Sequence, residues 1–225
     1  MDLGMLAAFG SVLLIDLVLS GDNAIIIALA CRNLPHQQQK QAIFWGTFGA
    51  IFGRVALVII ATYLLQIPYL MCIGGLALIY IAIKLLTPSQ SDKKKNLKQA
   101  GSLAEAVKII LLADVIMSLD NVLALAGVAG GDFLILVVGL ALSVPIIVWG
   151  STFLMKLMEK YPLIIYAGAG VLGWTSGKMI VSDASLSDSL APYALLFEIG
   201  LTVLVLAVGH FLKKGQTFPS KRQLK

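Results

Sequence analysis

Charge is what this sequence has least of. Only 13% of its 225 residues are charged, against about 25% in an ordinary soluble domain. Hydrophobic residues make up 59%, above the usual ~45–50%. That is too little charge to cover a folded globule in water, which excludes a soluble enzyme and a disordered chain. Cysteine is nearly absent: Cys31 and Cys72 stand alone with no CxxC spacing, which excludes a disulfide-stapled secreted domain. Histidine is limited to His36 and His210, both isolated, so no Cys/His zinc site can be assembled. A mean hydropathy of +0.92 points to a multi-span membrane protein. In such a protein the net charge of +5 reports orientation before any nucleic-acid partner, and none is expected.

What is abundant is apolar sequence in long runs. A hydrocarbon core about 30 Å thick needs roughly 20 apolar residues per helix. Seven stretches qualify, at about 4–30, 42–65, 68–86, 105–129, 133–155, 162–181 and 190–212. Turn signals separate them: Asn33-Leu34-Pro35, Ile67-Pro68, Thr87-Pro88-Ser89, Gly130-Gly131-Asp132, Tyr161-Pro162 and the Ser/Asp-rich 182–189. Basic residues fall on alternate connections. The first has Arg32 and Lys40, the third Lys93, Lys94, Lys95 and Lys98, the fifth Lys156 and Lys160, and the tail Lys213, Lys214, Lys221, Arg222 and Lys225. The second, fourth and sixth have none and hold Asp132, Asp183 and Asp188. The positive-inside rule predicts an external N-terminus and a cytoplasmic C-terminus in the cytoplasmic (inner) membrane. Met1-Asp2-Leu3 lacks a basic n-region, so the first span does not read as a cleaved signal peptide. This topology also puts Cys31 and Cys72 near opposite faces, which argues against a disulfide.

The chain repeats itself. Residues 16–24 read Asp-Leu-Val-Leu-Ser-Gly-Asp-Asn-Ala, and residues 114–122 read Asp-Val-Ile-Met-Ser-Leu-Asp-Asn-Val. Asp16, Ser20, Asp22 and Asn23 thus recur as Asp114, Ser118, Asp120 and Asn121 at a constant offset of 98. A weaker echo relates Gly74–Lys84 to Gly168–Lys178, with glycine, aromatic and lysine in register. A three-span unit cannot repeat without flipping, so the expected fold is all-α, with seven transmembrane helices as a 3+3 inverted repeat plus one extra helix. The segments are a first repeat at 1–86, a cytoplasmic linker at 87–103, a second repeat at 104–181, a seventh helix at 182–212 and a basic tail at 213–225. Inverted repeats characterise secondary transporters, whose sites lie near the bilayer midplane between the repeats.

Four of the 12 acids, Asp16, Asp22, Asp114 and Asp120, flank the middles of the first and fourth spans, where each costs about 2.5–3.5 kcal/mol, or on the order of 10–14 kcal/mol together. A protein stable by about 5–15 kcal/mol needs a compensating ligand or partner for them. Asp16, Ser20 and Asn23 share one face of a continuous helix, as do Asp114, Ser118 and Asn121. Asp22 lies about 240° around the axis from Asp16 and joins that face only if the helix opens, for which Ser20-Gly21 is a natural place. Leu119 replaces Gly21 in the second copy, making a break there less secure. Carboxylate, amide and hydroxyl oxygens suit hard divalent cations, Mg²⁺, Ca²⁺ or Mn²⁺. The plainer alternative is that the acids are neutralised by Arg54 and Lys178. Glu198, inside the seventh span, reads either as a proton relay or as a locally satisfied acid. Gly49-x3-Gly53, Gly127-x3-Gly131 and Gly173-x3-Gly177 read as close helix packing.

The paired Ser-x-Asp-Asn segments, each opened by an Asp four residues earlier, resemble those of the TerC family of integral membrane proteins, and the likeness runs from about residue 5 to 212. That family is associated by name with tellurium-resistance clusters and with Mn²⁺ export in bacteria, and is similar in plan to the LysE superfamily of exporters. The resemblance implies Mn²⁺ efflux with the Asp and Asn positions as ligands, and it alone narrows the ion beyond a hard divalent cation. The expected partners are that cation and membrane lipids, with no cofactor. Self-association and a membrane protein partner stay open. Protons are expected to return through the same carboxylates. A rival reading is a membrane scaffold or stress-response protein with structural metal sites. An intramembrane aspartyl hydrolase fits less well, because four acids with matched Asn neighbours suit ligation better than a two-Asp dyad, and no enzymatic activity is expected.

Overall fold

Every element among the described residues of the computed structural model is helical, and the reason is the solvent the sequence is built for: long apolar runs without water must satisfy their backbone internally. The structure describes residues 10–11, 13–14, 16, 20–64, 67–87, 102–128 and 133–217. Among these, the helices are α1 (Gly21–Cys31), α2 (His36–Leu64), α3 (Leu70–Leu86), α4 (Leu103–Val128), α5 (Phe133–Lys160), α6 (Leu163–Val181) and α7 (Ala194–Thr217). A short turn of helix at Ser187–Leu190 and a 3₁₀ turn at Ala191–Tyr193 lead into α7. Residues Gly10, Ser11, Leu13, Leu14 and Asp16, ahead of α1, are also helical. Most of the 87–103 linker, the Gly130-Gly131-Asp132 turn and the end of the tail lie outside the described residues.

Among the described residues, four helical stretches are long and apolar enough to cross a membrane: His36–Ile60, Val137–Lys160, Leu163–Val181 and Ser187–Lys214. Several helices overrun the apolar stretches that announce them. α2 starts at His36 rather than near 42, because nothing after Pro35 breaks it and Gln39 N–H donates to the Pro35 carbonyl at 2.9 Å. α5 continues to Lys160 and α7 to Thr217. α7 begins at Ala194 rather than near 190, since Pro192 holds the preceding residues in a 3₁₀ turn. α5 runs through Pro145, which cannot donate to the carbonyl four residues earlier.

The core is apolar and continuous, with Ile26, Leu78, Ile110, Met117, Leu172 and Met179 fully buried. Large apolar side chains also cover the outside, among them Phe44, Phe52 and Tyr63 on α2, Trp149 and Phe153 on α5, and Leu196 and Phe211 on α7. The expectation of close packing at Gly173-x3-Gly177 holds. A Cβ at Gly173 would come within 2.9 Å of Thr202 Cα, and one at Gly177 within 2.8 Å of Glu198 Cα, both on α7. Gly49 and Gly53 face Leu111 and Val115 of α4. Gly131 lies outside the described residues.

Polar contacts tie helix ends together. Lys84 Nζ and Glu105 Oε1 pair at 2.7 Å, joining the end of α3 to the start of α4, while Arg32, just past α1, donates to the Leu85 carbonyl at 2.7 Å. At the other end of α3, Tyr69 adopts a left-handed φ of 62°. There Asp183, only 1% exposed, accepts from the backbone N–H of Cys72 at 3.1 Å and of Ser185 at 2.9 Å. Burial works to raise this carboxyl, but N–H groups of Ser185, Cys72, Tyr69 and Met71 hold it below the usual carboxylate range. The second and sixth connections therefore meet at one end of the molecule. Cys31 is buried and Cys72 partly so, and both are free thiols.

Candidate functional site

The helix leading into α1 breaks where Ser20 and Gly21 predicted. Ser20 has φ −106° and ψ 6°, outside the helical well, and α1 restarts at Gly21. Its N–H still donates to the Asp16 carbonyl at 2.7 Å, and its own carbonyl accepts from Ala24 at 3.3 Å. The matching Ser118-Leu119 in the second copy is inside an uninterrupted α4. The two copies of the motif thus differ at the residue where glycine becomes leucine.

Around this break, three elements bring polar side chains together. Asp16 and Asp114 are 0% and 4% exposed, and Arg54 of α2 is 6% exposed. The Arg54 guanidinium bridges both acids: Nη1 donates to Asp16 Oδ1, while Nη2 and Nε donate to Asp114 Oδ1 and Oδ2 at 2.6 and 3.3 Å. Nη1 also reaches Ser20 Oγ at 2.8 Å, and that hydroxyl donates to Asp16 Oδ1 at 3.1 Å. Asn23 Nδ2 donates to Asp114 Oδ1 at 3.1 Å. One guanidinium against two carboxylates leaves one negative charge in excess. Such a fork is suited to paired carboxylates, and arginine stays charged throughout.

Not every oxygen is answered. Asp16 Oδ2, Asn23 Oδ1 and Thr47 Oγ1 are buried without a hydrogen-bond partner. An unsatisfied buried polar group costs about 1–3 kcal/mol. Asp16, Asn23 and Thr47 line one small cavity of about 20 Å³, room for one water-sized group. Arg54, Asp114 and Ser143 of α5 complete its polar wall, and Ile27, Ile110 and Leu140 are among the apolar remainder.

The other sequence-predicted positions stand apart from this cavity. Asp22 turns toward α6, where Thr175 Oγ1 donates to its Oδ2 at 3.4 Å, so the break at Ser20 does not bring it onto the face of Asp16. Ser118 is buried on α4 and Asn121 partly buried, and neither lines the cavity. The side chain of Asp120 lies outside the described residues. Lys178 is exposed, so of the two basic residues considered as neutralising partners, Arg54 takes that place. Among the described residues, no three His, Cys, Asp or Glu side chains come together as a metal cluster. Sequence reasoning missed Thr47 and Ser143. Thr47, seven residues before Arg54, shares its helical face, which is the signal that finds it.

The profile of the integral membrane protein TerC family matches residues 1–217. The chain is 47% identical over 193 residues to a membrane protein of Bacillus subtilis (strain 168), YjbE, described as uncharacterized, with 86% of this chain and 87% of the relative covered. A second protein of that organism, the uncharacterized membrane protein YkoY, is 25% identical, over 99% of this chain and 78% of its own length. The inner membrane protein YgdQ of Escherichia coli (strain K12) is 24% identical, over 86% and 89%. No solved structure matches. The chain belongs to the TerC family and is an integral membrane protein.

Proposed function

We propose that this TerC-family protein carries a hard divalent cation, Mn²⁺ before Ca²⁺ or Mg²⁺, out of the cytoplasm across the inner membrane. One observation carries the reading: Asp16 and Asn23 present unpartnered buried acceptor oxygens to a cavity that Asp114 also lines. Oxygen acceptors without donors, in a wall containing two carboxylates, form a donor set for a cation of that class. We assign Asp16, Asn23 and Asp114 as the central ligands. Ser20, Asp22, Ser118, Asp120 and Asn121 complete the set as the helices move. The protein needs no cofactor and is not an enzyme, and Mn²⁺ itself is the substrate.

In this reading seven helices span the bilayer, with α1–α3 and α4–α6 as inverted repeats and α7 extra. The packing supports it. α1 packs on α5 as α2 packs on α4, and α1 touches α6 as α4 touches α3, so these contacts between the halves are mates under their exchange. The basic odd-numbered connections face the cytoplasm. Rocking of one half against the other then alternates access to a site held between them.

The test is Mn²⁺ flux in proteoliposomes. Wild type transports, and Asp16→Asn and Asp114→Asn each lose most of the flux. Full activity in both variants sinks the ligand assignment, and an inert wild type sinks transport. The pairing of Arg54 with both acids favours a second reading, a membrane scaffold whose polar cluster only stabilises the fold. That reading gives stable protein without flux.

A further inference from the structure

We propose that Arg54 is the site's resident counter-cation, which occupies the two carboxylates in the empty carrier and which an arriving divalent ion must displace. The inference rests on the transport reading above and adds the part that makes the cycle close. Three observations support it. Arg54 is buried and reaches acids contributed by both copies of the repeated motif, Asp16 and Asp114. It uses Asp16 Oδ1 and both oxygens of Asp114, atoms that an ion bound in the adjoining cavity would also seek. It comes from α2, outside the repeated motif.

The charge arithmetic explains why such a group is useful. With a divalent ion bound and the guanidinium withdrawn, two carboxylates are neutralised. With the ion gone and Arg54 in place, one negative charge is left. Without Arg54 the empty site would hold two bare carboxylates in a low-dielectric interior, where each is costly. A tethered cation therefore supplies the charge that lets the empty carrier return. A return in the loaded state has the metal in place and does not need it. Arg54 also weakens binding, because every ion that enters must break a charge-assisted fork, and a carrier has to release its cargo.

Two modes of Mn²⁺ movement separate this role from a structural one. In proteoliposomes, net efflux requires the empty carrier to return, while exchange of labelled for unlabelled Mn²⁺ does not. Arg54→Gln should bind Mn²⁺ tighter by about tenfold to a hundredfold; slower release then slows exchange as well, but net efflux should fall by at least about tenfold more than exchange, because it alone needs the empty return step. Arg54→Lys keeps the charge but loses the fork and should fall between the two in both affinity and net efflux. Equal loss of both modes, or affinity no tighter than wild type, overturns the proposal. If Arg54→Gln does not fold, the lysine variant decides: tighter binding with net efflux falling further than exchange upholds the proposal, and unchanged affinity overturns it. A wild type that neither binds nor moves Mn²⁺ removes the transport reading and this inference with it. A transporting wild type with a fully active Arg54→Gln removes this inference alone.

Discussion

Replacing Asp114 with Asn tests whether the arginine–carboxylate cluster holds the helices together. The Asp114 carboxylate takes two of the Arg54 hydrogen bonds, at 2.6 and 3.3 Å, and a third from Asn23 at 3.1 Å. In Asp114→Asn the charge is lost, and one oxygen becomes an amide nitrogen facing the guanidinium donors. Breaking a buried ion pair by removing one partner costs about 3–5 kcal/mol. Arg54 retains Asp16, so the low end applies, about 3 kcal/mol. For chains of this length about 1 kcal/mol moves Tm by ~2–4 °C, giving a fall of ~6–12 °C. Asp188→Asn is the control, since Asp188 is exposed in the sixth connection, away from the fork. Its Tm should move by less than ~2 °C. The measurement is thermal unfolding of the detergent-solubilised protein without added metal. The double variant Arg54→Gln/Asp114→Asn should lose less than the sum of the singles, by about 1 kcal/mol or more, because removing both partners strands fewer charges. An unmoved Asp114→Asn, an equally unstable Asp188→Asn, or strict additivity would refute the cluster's structural weight.

Gly177→Ala pushes a Cβ to 2.8 Å from Glu198 Cα, a backbone atom that cannot rotate away, and should cost about 1–3 kcal/mol. Gly150→Ala, with nothing within 4 Å, should leave Tm unchanged or higher. Asp183→Asn should lower Tm at neutral pH. The native carboxyl is held below its unfolded value of about 3.9. Its contribution is therefore present above that pH and is lost as pH falls through the native value, so the gap between wild type and variant should be flat near neutrality and close in strong acid. A gap that widens in acid would contradict this. For orientation, a membrane-impermeant maleimide added to intact cells should label Ser189→Cys in the sixth connection and spare Lys160→Cys at the end of α5. The opposite pattern would invert the topology.

How much of this could be read from the sequence depends on the range of the interaction involved. Apolar run length is a local property, so the existence and order of the helices were legible. Their ends were less so, because hydrophobicity marks where the hydrocarbon begins, while a helix continues until a breaker stops it. α2 begins at His36, directly after Pro35, not at the apolar onset near 42. The break at Ser20 was legible because glycine beside serine weakens the backbone locally. The turning away of Asp22 was not legible, because an opened helix could have brought it round and only its contact with Thr175 on α6 decides its direction. The cap made by Asp183 on α3 spans 111 residues, and nothing in a Ser/Asp-rich turn announces which helix end it will meet.

The cluster itself lies between those limits. Repetition drew attention to eight polar residues as equals, yet the fold gathers Asp16, Ser20, Asn23 and Asp114 and leaves Ser118 and Asn121 off the cavity wall. A repeat in sequence specifies equivalent helix faces only while the helices stay equivalent. One substitution, Gly21 to Leu119, sets a broken helix against a continuous one. That asymmetry gives Arg54 a place: the charge complement of the repeated acids comes from α2, outside the repeated motif. An unpaired arginine in the middle of a span costs about as much as an acid there, so its presence already implied a carboxylate partner. Only the packing of α2 against α4 (and α1) made that partner one acid from each copy. Introducing glycine at Leu119 would restore local equivalence. Leu119 is buried in the core, so the change deletes a packed side chain as well as loosening α4 and should cost about 3–6 kcal/mol, without changing the number of buried charges. If Arg54 alone balances those charges, Mn²⁺ affinity should stay within about threefold of wild type while Tm falls by ~6–24 °C. A large gain in affinity would mean that the unbroken α4, rather than the arginine, restrains the site.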